Sequence, residues 1–534
     1  MFTQSRRPGL VAILLGIVGV ILTICPDASA IINEKNQDRW AKPTTKDAPD
    51  KEVPGFLVNL GPTGARAVLT EKTFIVKYIF ADSPAAGLLK VDDVIGGVFG
   101  KGFSSHTFGY GGSKGPHGYK GPIMDMGLGI EKAEAGDGKL ILNVTRDSKK
   151  IDVTIPLEAI GAFSSTFPIK CKKSELLRGR ALKYLADHPD AHDGKGESSH
   201  VRMAVALAFL SSDKPCDQAI GKAMALKWSK EKPADKTWSW HLSHQAITLS
   251  EYYLQTRDAS VLPMIKYIIP LLEGGMYAVP VVHWAPERHK QPFAEIDAAQ
   301  QLYDGGYGHA PYTPGKPLGG YGPMQITTAL AVVARQLGAQ CGAKINADRL
   351  KRSMAFIHHG TNDVGYMAYG GEFTLNRGPV DSVKWKKTTR SQNYVGRVGC
   401  VTVAHRLSPE QPKSAEYIRL YSGFMARAYK SMPDGHGDAN LAILWSLMGA
   451  AASHDQAAMR AMFDYHKAYF NMMRCHDGSF VLQPGRDYAD KGYYLASRYH
   501  PTATMAIALG FAHPRLRIEG IGNNAVTKRS PASK

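Results

Sequence analysis

The sequence predicts two folded units in series: a small β-rich domain over residues 53–160, then an all-α domain over 168–515 built as an α6/α6 toroid. Three observations carry this expectation. Alternating β runs crowd the region before Phe167, they stop there, and helical periodicity then repeats with a six-fold rhythm. The 534 residues are 44% hydrophobic and 21% charged, which suits a multidomain globular protein. That balance excludes a disordered chain, a coiled coil and a polytopic membrane protein.

Taken in order, the N-terminus comes first. Arg6 and Arg7 precede an apolar run from Leu10 to Ile24, then Pro26, and Ala28-Ser29-Ala30 fits a small-x-small cleavage site. Residues 1–30 therefore read as a secretory signal peptide cleaved after Ala30, giving a secreted or periplasmic chain; uncleaved, the run would anchor it to the membrane. No membrane span is expected in the mature chain. Residues 31–52 are polar, rich in Lys and Asp, and read as a linker. Cleavage would leave Cys171, Cys216, Cys341, Cys400 and Cys475, an odd count with at least one free thiol unless two chains pair.

From Val53 the character changes. Phe74–Ile79 is a β run that leads into Ser83-Pro84-Ala85-Ala86-Gly87-Leu88 and Lys90-Val91-Asp92-Asp93-Val94-Ile95. Leu140–Arg146 and Ile151–Leu157 flank the polar turn Asp147–Lys150 and predict a hairpin. The order Ser-Pro-Ala-x-Gly-Leu-x-x-x-Asp-Asp-x-Ile, a Gly turn at Gly100-Lys101-Gly102, a helix and a closing hairpin resembles a bacterial PDZ domain. The resemblance implies that Leu60, Gly61, Pro62, Thr63 and Gly64 form a loop that receives a peptide carboxylate. It also implies that Gly127–Ala135 flanks a groove in which an extended peptide or protein segment adds as a strand. Two features depart from the pattern: Pro62 and Thr63 replace apolar loop residues, and a Gly/His/Tyr-rich insert, Ser104–Gly121, precedes the helix. A module that only packs against its neighbour is the alternative.

Beyond Phe167, six segments rich in small residues share an Ala/Leu/Val face: Ser198–Ser212, His241–Thr256, Pro323–Gly338, Asn393–Ser408, Gly437–Ser453 and His500–Pro514. Between them run six more charged, amphipathic segments: Ser174–Asp187, Lys214–Trp228, Ser260–Gly274, Asn346–His358, Pro412–Lys430 and His454–Met473. Small residues allow close approach, so the first set predicts an inner ring and the second an outer one. Gly305-Gly306-Tyr307-Gly308-His309, Gly319-Gly320-Tyr321-Gly322 and His476-Asp477-Gly478-Ser479-Phe480 resemble the Gly-aromatic turns of terpenoid-cyclase and prenyltransferase toroids. The cyclase Asp-x-Asp-Asp motif is absent, so that chemistry does not carry over. As a whole, the chain resembles a secreted bacterial family that joins a PDZ-like domain to an alpha/alpha toroid of unknown function. Residues 516–534 read as a disordered basic tail.

The long connections Gly275–Gly322, His359–Gln392 and Arg474–Tyr499 all lead into inner helices, so loop mass gathers on the rim where those helices begin. Helix N-termini and a net charge of +18, from 65 Lys+Arg against 47 Asp+Glu, favour an anionic ligand there, such as an anionic glycan. No Lys/Arg block of the kind that binds nucleic acid is present. Histidines collect in the same segments: His188, His192, His200, His241, His244, His283, His289, His309, His359, His436, His476 and His500. The densest cluster is Trp238-Ser239-Trp240-His241-Leu242-Ser243-His244. His241 and His244 share a helix face and, with Asp304 and His309, are the candidate acid–base residues. Trp238, Trp240, Tyr307, His436, Asp438 and His476 are candidates to line the funnel. There is no His-Glu-x-x-His, paired Cys-x-x-Cys, phosphate loop or Gly-x-Ser-x-Gly elbow, so neither metal nor cofactor is expected. The reading that ranks first is a secreted or periplasmic protein-binding scaffold, its PDZ-like module holding a peptide segment and its toroid presenting a basic, aromatic-lined funnel. A lyase or hydrolase of an anionic polysaccharide is the alternative, and a purely structural role the third.

Overall fold

The computed structural model describes residues 29–32, 51–54, 56–105, 119–193, 198–234, 237–278, 303–311, 322–370, 395–437, 439–483 and 498–521. The leader-like residues 1–28 and residues 522–534 of the expected basic tail lie outside them; the start of that expected tail is folded, with Leu516, Arg517, Ile518 and Glu519 buried. An antiparallel β-rich region comes first and a helical domain follows, as the β-then-α order of the sequence predicts.

Nine strands are present among the described residues: β1 Ser29–Ile32, β2 Lys51–Pro54, β3 Phe56–Asn59, β4 Ala65–Leu69, β5 Phe74–Ile79, β6 Val94–Val98, β7 Lys101–Gly102, β8 Lys139–Arg146 and β9 Lys149–Pro156. The polar segment expected to be a linker is bracketed by β1 and β2, which pair with each other. The main sheet has the order β3-β4-β5-β6-β8-β9, with β7 paired to β6, and every pairing is antiparallel. Its inner face is apolar: Val58, Ala67, Phe74, Val76, Ile95, Leu140, Leu142 and Ile155 are all buried. The hairpin from β8 to β9 is tighter than the sequence predicts. Asp147 and Ser148 both adopt positive φ, so a two-residue turn closes it and Lys149 and Lys150 join the strand.

Helix α1, Pro122–Ala135, crosses this sheet, starting earlier than the sequence suggests because Pro122 is well placed at a first helical turn. The remaining helices are α2 Lys172–Asp187, α3 Pro189–Asp193, α4 Ser199–Ser211, α5 Pro215–Trp228, α6 Ser239–Thr256, α7 Leu262–Gly274, α8 Gln325–Gln340, α9 Ala347–His359, α10 Val395–Arg406, α11 Ser414–Ala428, α12 Ala439–Ser453, α13 Gln456–Met473 and α14 Tyr499–Ala508. The small-residue helices form a cycle of contacts. Helix α4 packs on α6, α6 on α8, α8 on α10, α10 on α12, α12 on α14, and α14 returns to α4. Glycine makes the closest of these joints possible: a side chain at Gly399 or Gly449 would overlap the backbone of the facing helix. The charged helices α2, α5, α7, α9, α11 and α13 each pack outside this cycle against one or two of its members. Among the described residues no helix is long and apolar enough to cross a membrane, and all five described cysteines are free.

The two units share an extensive interface. A Cβ on Gly127 of α1 would overlap the Ala468 carbonyl of α13, so the two helices meet backbone to backbone. Tyr119 stacks on Tyr469 with ring centroids 4.3 Å apart. Lys173, fully buried, pairs with Glu131 and Glu134, and Arg474 pairs with Glu134 at 2.7 Å. Burial pulls the Glu134 carboxyl up, but Arg474 and Lys173 outweigh it and hold it below the usual carboxylate range.

Candidate functional site

The first turns of five of the six cycle helices meet on one rim. His200 in α4 lies 5.1 Å, ring centroid to centroid, from His500 in α14, and 6.2 Å from His244 in α6. Residues 307–309 tie α6 to α8, because Ser239 N–H donates to the His309 carbonyl and Met324 N–H to that of Tyr307. Tyr369 then links α8 to α10: its carbonyl accepts from Gln325 N–H, and its ring lies 5.2 Å from the Arg397 guanidinium. Five of the six cycle helices thus turn their positive ends toward the same place.

Three imidazoles from three helices form the core of this rim. Each is held at Nδ1 by a hydroxyl: His200 by Ser198 at 2.9 Å, His244 by Ser199 at 2.9 Å, and His500 by Thr504 at 3.5 Å. Nε2 of His244 and of His500 is buried with no hydrogen-bond partner. A buried polar atom without a partner costs free energy and calls for an explanation. Burial holds all three rings neutral: His200 is pushed down to about 4, and His244 and His500 are well below the ordinary imidazole range. The charges that lower His244 further are those of other histidines, His200 first, then His241 and His500.

Beside them stands an aromatic group. Trp240 Nε1 donates to His309 Nδ1 at 2.8 Å, and the Trp240 ring lies 6.1 Å from that of His244. Trp238 lies 5.6 Å from His309 and is 59% exposed, the most exposed large apolar side chain among the described residues.

The predicted site residues divide accordingly. His244 and His309 come together around Trp240, with Trp238 beside them. His241 faces away, edge-on to Trp228 at 5.8 Å. Asp304 is ion-paired to Arg352 of the outer helix α9, which commits its carboxylate to structure. Tyr307 is fully buried, its hydroxyl accepting from Arg335 at 3.4 Å. His476 lies under the β-rich domain, 5.1 Å from Phe80 and bonded to Asp82 at 3.2 Å. The His436 side chain and Asp438 lie outside the described residues. His200 and His500 are the members that sequence reasoning did not single out. Their shared signal is position: each is the second residue of its helix, in two helices that are neighbours in the cycle.

The loop Leu60–Gly64 is buried within the chain itself. β3 runs antiparallel along β4, from Phe56 opposite Leu69 to Asn59 opposite Arg66, and so occupies the β4 edge away from β5. A Cβ on Gly61 would meet Ile130 and the Asn471 carbonyl. A cavity of about 120 Å³ between the two units is lined by Pro62, Pro84, Leu177, Arg180, Cys475 and His476 among others, but by none of the three clustered imidazoles. Burial pushes the Cys475 thiol up to about 12, so it is not a thiolate nucleophile at neutral pH. Among the described residues, no three His, Cys, Asp or Glu side chains are grouped so as to hold a metal ion.

No curated protein and no solved structure matches the chain. A family model does, over residues 179–520, which take in the whole contact cycle and the imidazole rim. The chain belongs to the family described as domain of unknown function (DUF6288).

Proposed function

We propose that the protein is a lyase acting on an anionic polysaccharide, and that its site is the imidazole rim. The observation that supports this reading most is the set His200, His244 and His500: neutral rings held at Nδ1 by hydroxyls, two of them with an unpartnered Nε2. A neutral imidazole has a lone pair free to take a proton at neutral pH; burial weakens these rings as bases, and a uronate carboxylate brought beside them would strengthen them. Helix N-termini and Arg397 would lower the cost of the negative charge that develops when a proton leaves the carbon beside a uronate carboxylate. In such an elimination the C–H electron pair becomes the new C=C bond. The glycosidic C–O bond breaks, and the leaving oxygen takes up a proton. His309 fits the donor role, because the Trp240 N–H holds Nδ1 as an acceptor and leaves the ring proton on Nε2. Hydrolysis would ask for two carboxyl groups flanking the bond. Asp304, the predicted carboxylate, is committed to Arg352. Exposed Trp238 suits stacking against a sugar ring.

Within this reading the contact cycle is an α6/α6 toroid and the β-rich domain is PDZ-like. Its peptide edge is taken by β3, and this favours an intramolecular role over capture of a free peptide. The apolar run before Ala30 supports export; β1 spans the expected cleavage point, so cleavage there would leave half of that strand.

The test is incubation of the purified protein with a panel of acidic and neutral polysaccharides, followed by ultraviolet absorbance of unsaturated ends and mass spectrometry. Unsaturated oligosaccharides from a polyuronate, lost in His244→Gln and His500→Gln, are expected. Saturated products would indicate hydrolysis, and the absence of turnover with retained binding would return the protein to the scaffold reading.

A further inference from the structure

The turn between α13 and α14 carries the β-rich domain on one side and His500 on the other. On the β side, Asn59 Nδ2 donates to the carbonyls of Met472 at 2.8 Å and Arg474 at 2.7 Å. Gln483 closes the same clamp in reverse. Its Oε1 accepts from Asn59 N–H and its Nε2 donates to the Asn59 carbonyl, both at 3.0 Å. Glu134 holds Arg474, and Phe80 and Asp82 hold His476. A Cβ on Gly64 would strike Ser83 and crowd His476, so the loop is pressed onto the turn.

On the other side, the turn grips the start of α14. Arg498 Nη1 donates to Asp477 Oδ2 at 2.8 Å and to Ser479 Oγ at 2.9 Å. Phe480 N–H donates to Thr502 Oγ1 at 2.9 Å. Arg498 and Thr502 stand two residues before and two residues after His500. The ring is therefore bracketed by contacts to a turn whose own shape the β-rich domain dictates.

We propose that the β-rich domain is the positioning element of the imidazole rim, acting through Asn59, Gln483 and Arg498 to set the His500 ring. The proposal rests on the rim being the functional site, but its geometry is independent of the reaction. It gives the first domain a task that its self-occupied groove otherwise leaves without explanation. A misplaced first turn would free His500 from the hydroxyl of Thr504 and open its unpartnered Nε2 to water.

The test is carbethoxylation of histidines by diethyl pyrocarbonate in the full chain, with labelled sites counted by mass spectrometry. Asn59→Ala and Arg498→Gln should each label His500 at least about tenfold faster than wild type, as local opening would require, with Arg498→Lys between. His466, buried in α13 and bonded through Nδ1 to the Met462 carbonyl, is the control and should not change. An unchanged His500 rate would overturn the proposal, as would an equal rise at His466, which would report general loosening. Should Arg498→Gln fail to fold, Thr502→Val and Asn59→Ala carry the same expectation. Labelling needs no turnover, so it decides the positioning even if no polyuronate is cleaved. Where turnover exists, the variants should lower kcat with KM retained.

Discussion

Trp240 donates its indole N–H to Nδ1 of His309 across 2.8 Å, and this one bond determines which nitrogen of the imidazole carries the proton. A nitrogen that accepts has no proton, so the neutral ring presents Nε2–H. Burial lowers the affinity of the same ring for a second proton. Trp240→Phe keeps the aromatic bulk and removes the donor. The variant should lose about 1 kcal/mol of stability. Its His309 should titrate at higher pH, since the bond favours the neutral form. Imidazole chemical shifts followed through a pH series would show either result.

Gly127 offers a second test, this time of the interface. A methyl group there would collide with the Ala468 carbonyl, and neither backbone has a flexible side chain to yield. Gly127→Ala should therefore cost about 3 kcal/mol or more, the upper range for overpacking. Denaturant unfolding of the full chain measures it. A loss within a few tenths of a kcal/mol would mean that α1 and α13 do not meet as described.

Two buried carboxyls set a pH dependence with a definite sign. Burial raises Glu251 from 4.5 to about 7 and Glu519 from 4.5 to about 8, although each accepts backbone N–H groups from the 515–518 segment. A carboxyl whose folded pKa is raised holds more protons folded than unfolded. Its contribution to stability therefore falls as pH climbs from about 4.5 through those values. The clustered histidines act oppositely: their folded affinity is depressed, so stability is lost as pH drops below 6.5 toward about 4 for His200. Glu251→Gln should remove part of the alkaline-side loss and leave the acid-side loss in place. Melting temperatures of both proteins at a series of pH values would separate the two.

The β4 edge beside the Leu60–Gly64 loop is already paired with β3, so free peptides should not find it open. Fluorescence polarisation with a library of peptides bearing free C-termini should show no saturable binding to the full chain. Micromolar binding that depended on the Leu60–Gly64 loop would show that β3 can be displaced.

Periodicity made much of this architecture legible. Eleven of the twelve expected toroid helices begin and end within about two residues of the observed ones, because small and amphipathic faces alternate along the chain. The last stops at Ala508, six residues before the expected end, near Gly510 and Pro514. The site was less legible. Trp240, His244 and His309 stand out in the sequence as candidates because they crowd one short stretch or a Gly-rich turn. His200 and His500 lie 300 positions apart and meet only when the cycle closes. Asp304 looked free because nothing local announces that Arg352 will face it. The Leu60–Gly64 loop kept its place in the order of elements, but which partner would cover it depended on a helix 400 residues downstream.

The contacts that close the molecule also set a timetable for its synthesis. Asn59 waits for Gln483, 424 residues later, and α4 waits for α14. Helices emerging early have neighbours on one flank only, so they leave apolar surface uncovered until nearly the whole chain has been made. A chain of this kind cannot lock until its last helix has been made, so its stability arrives in one late step rather than helix by helix.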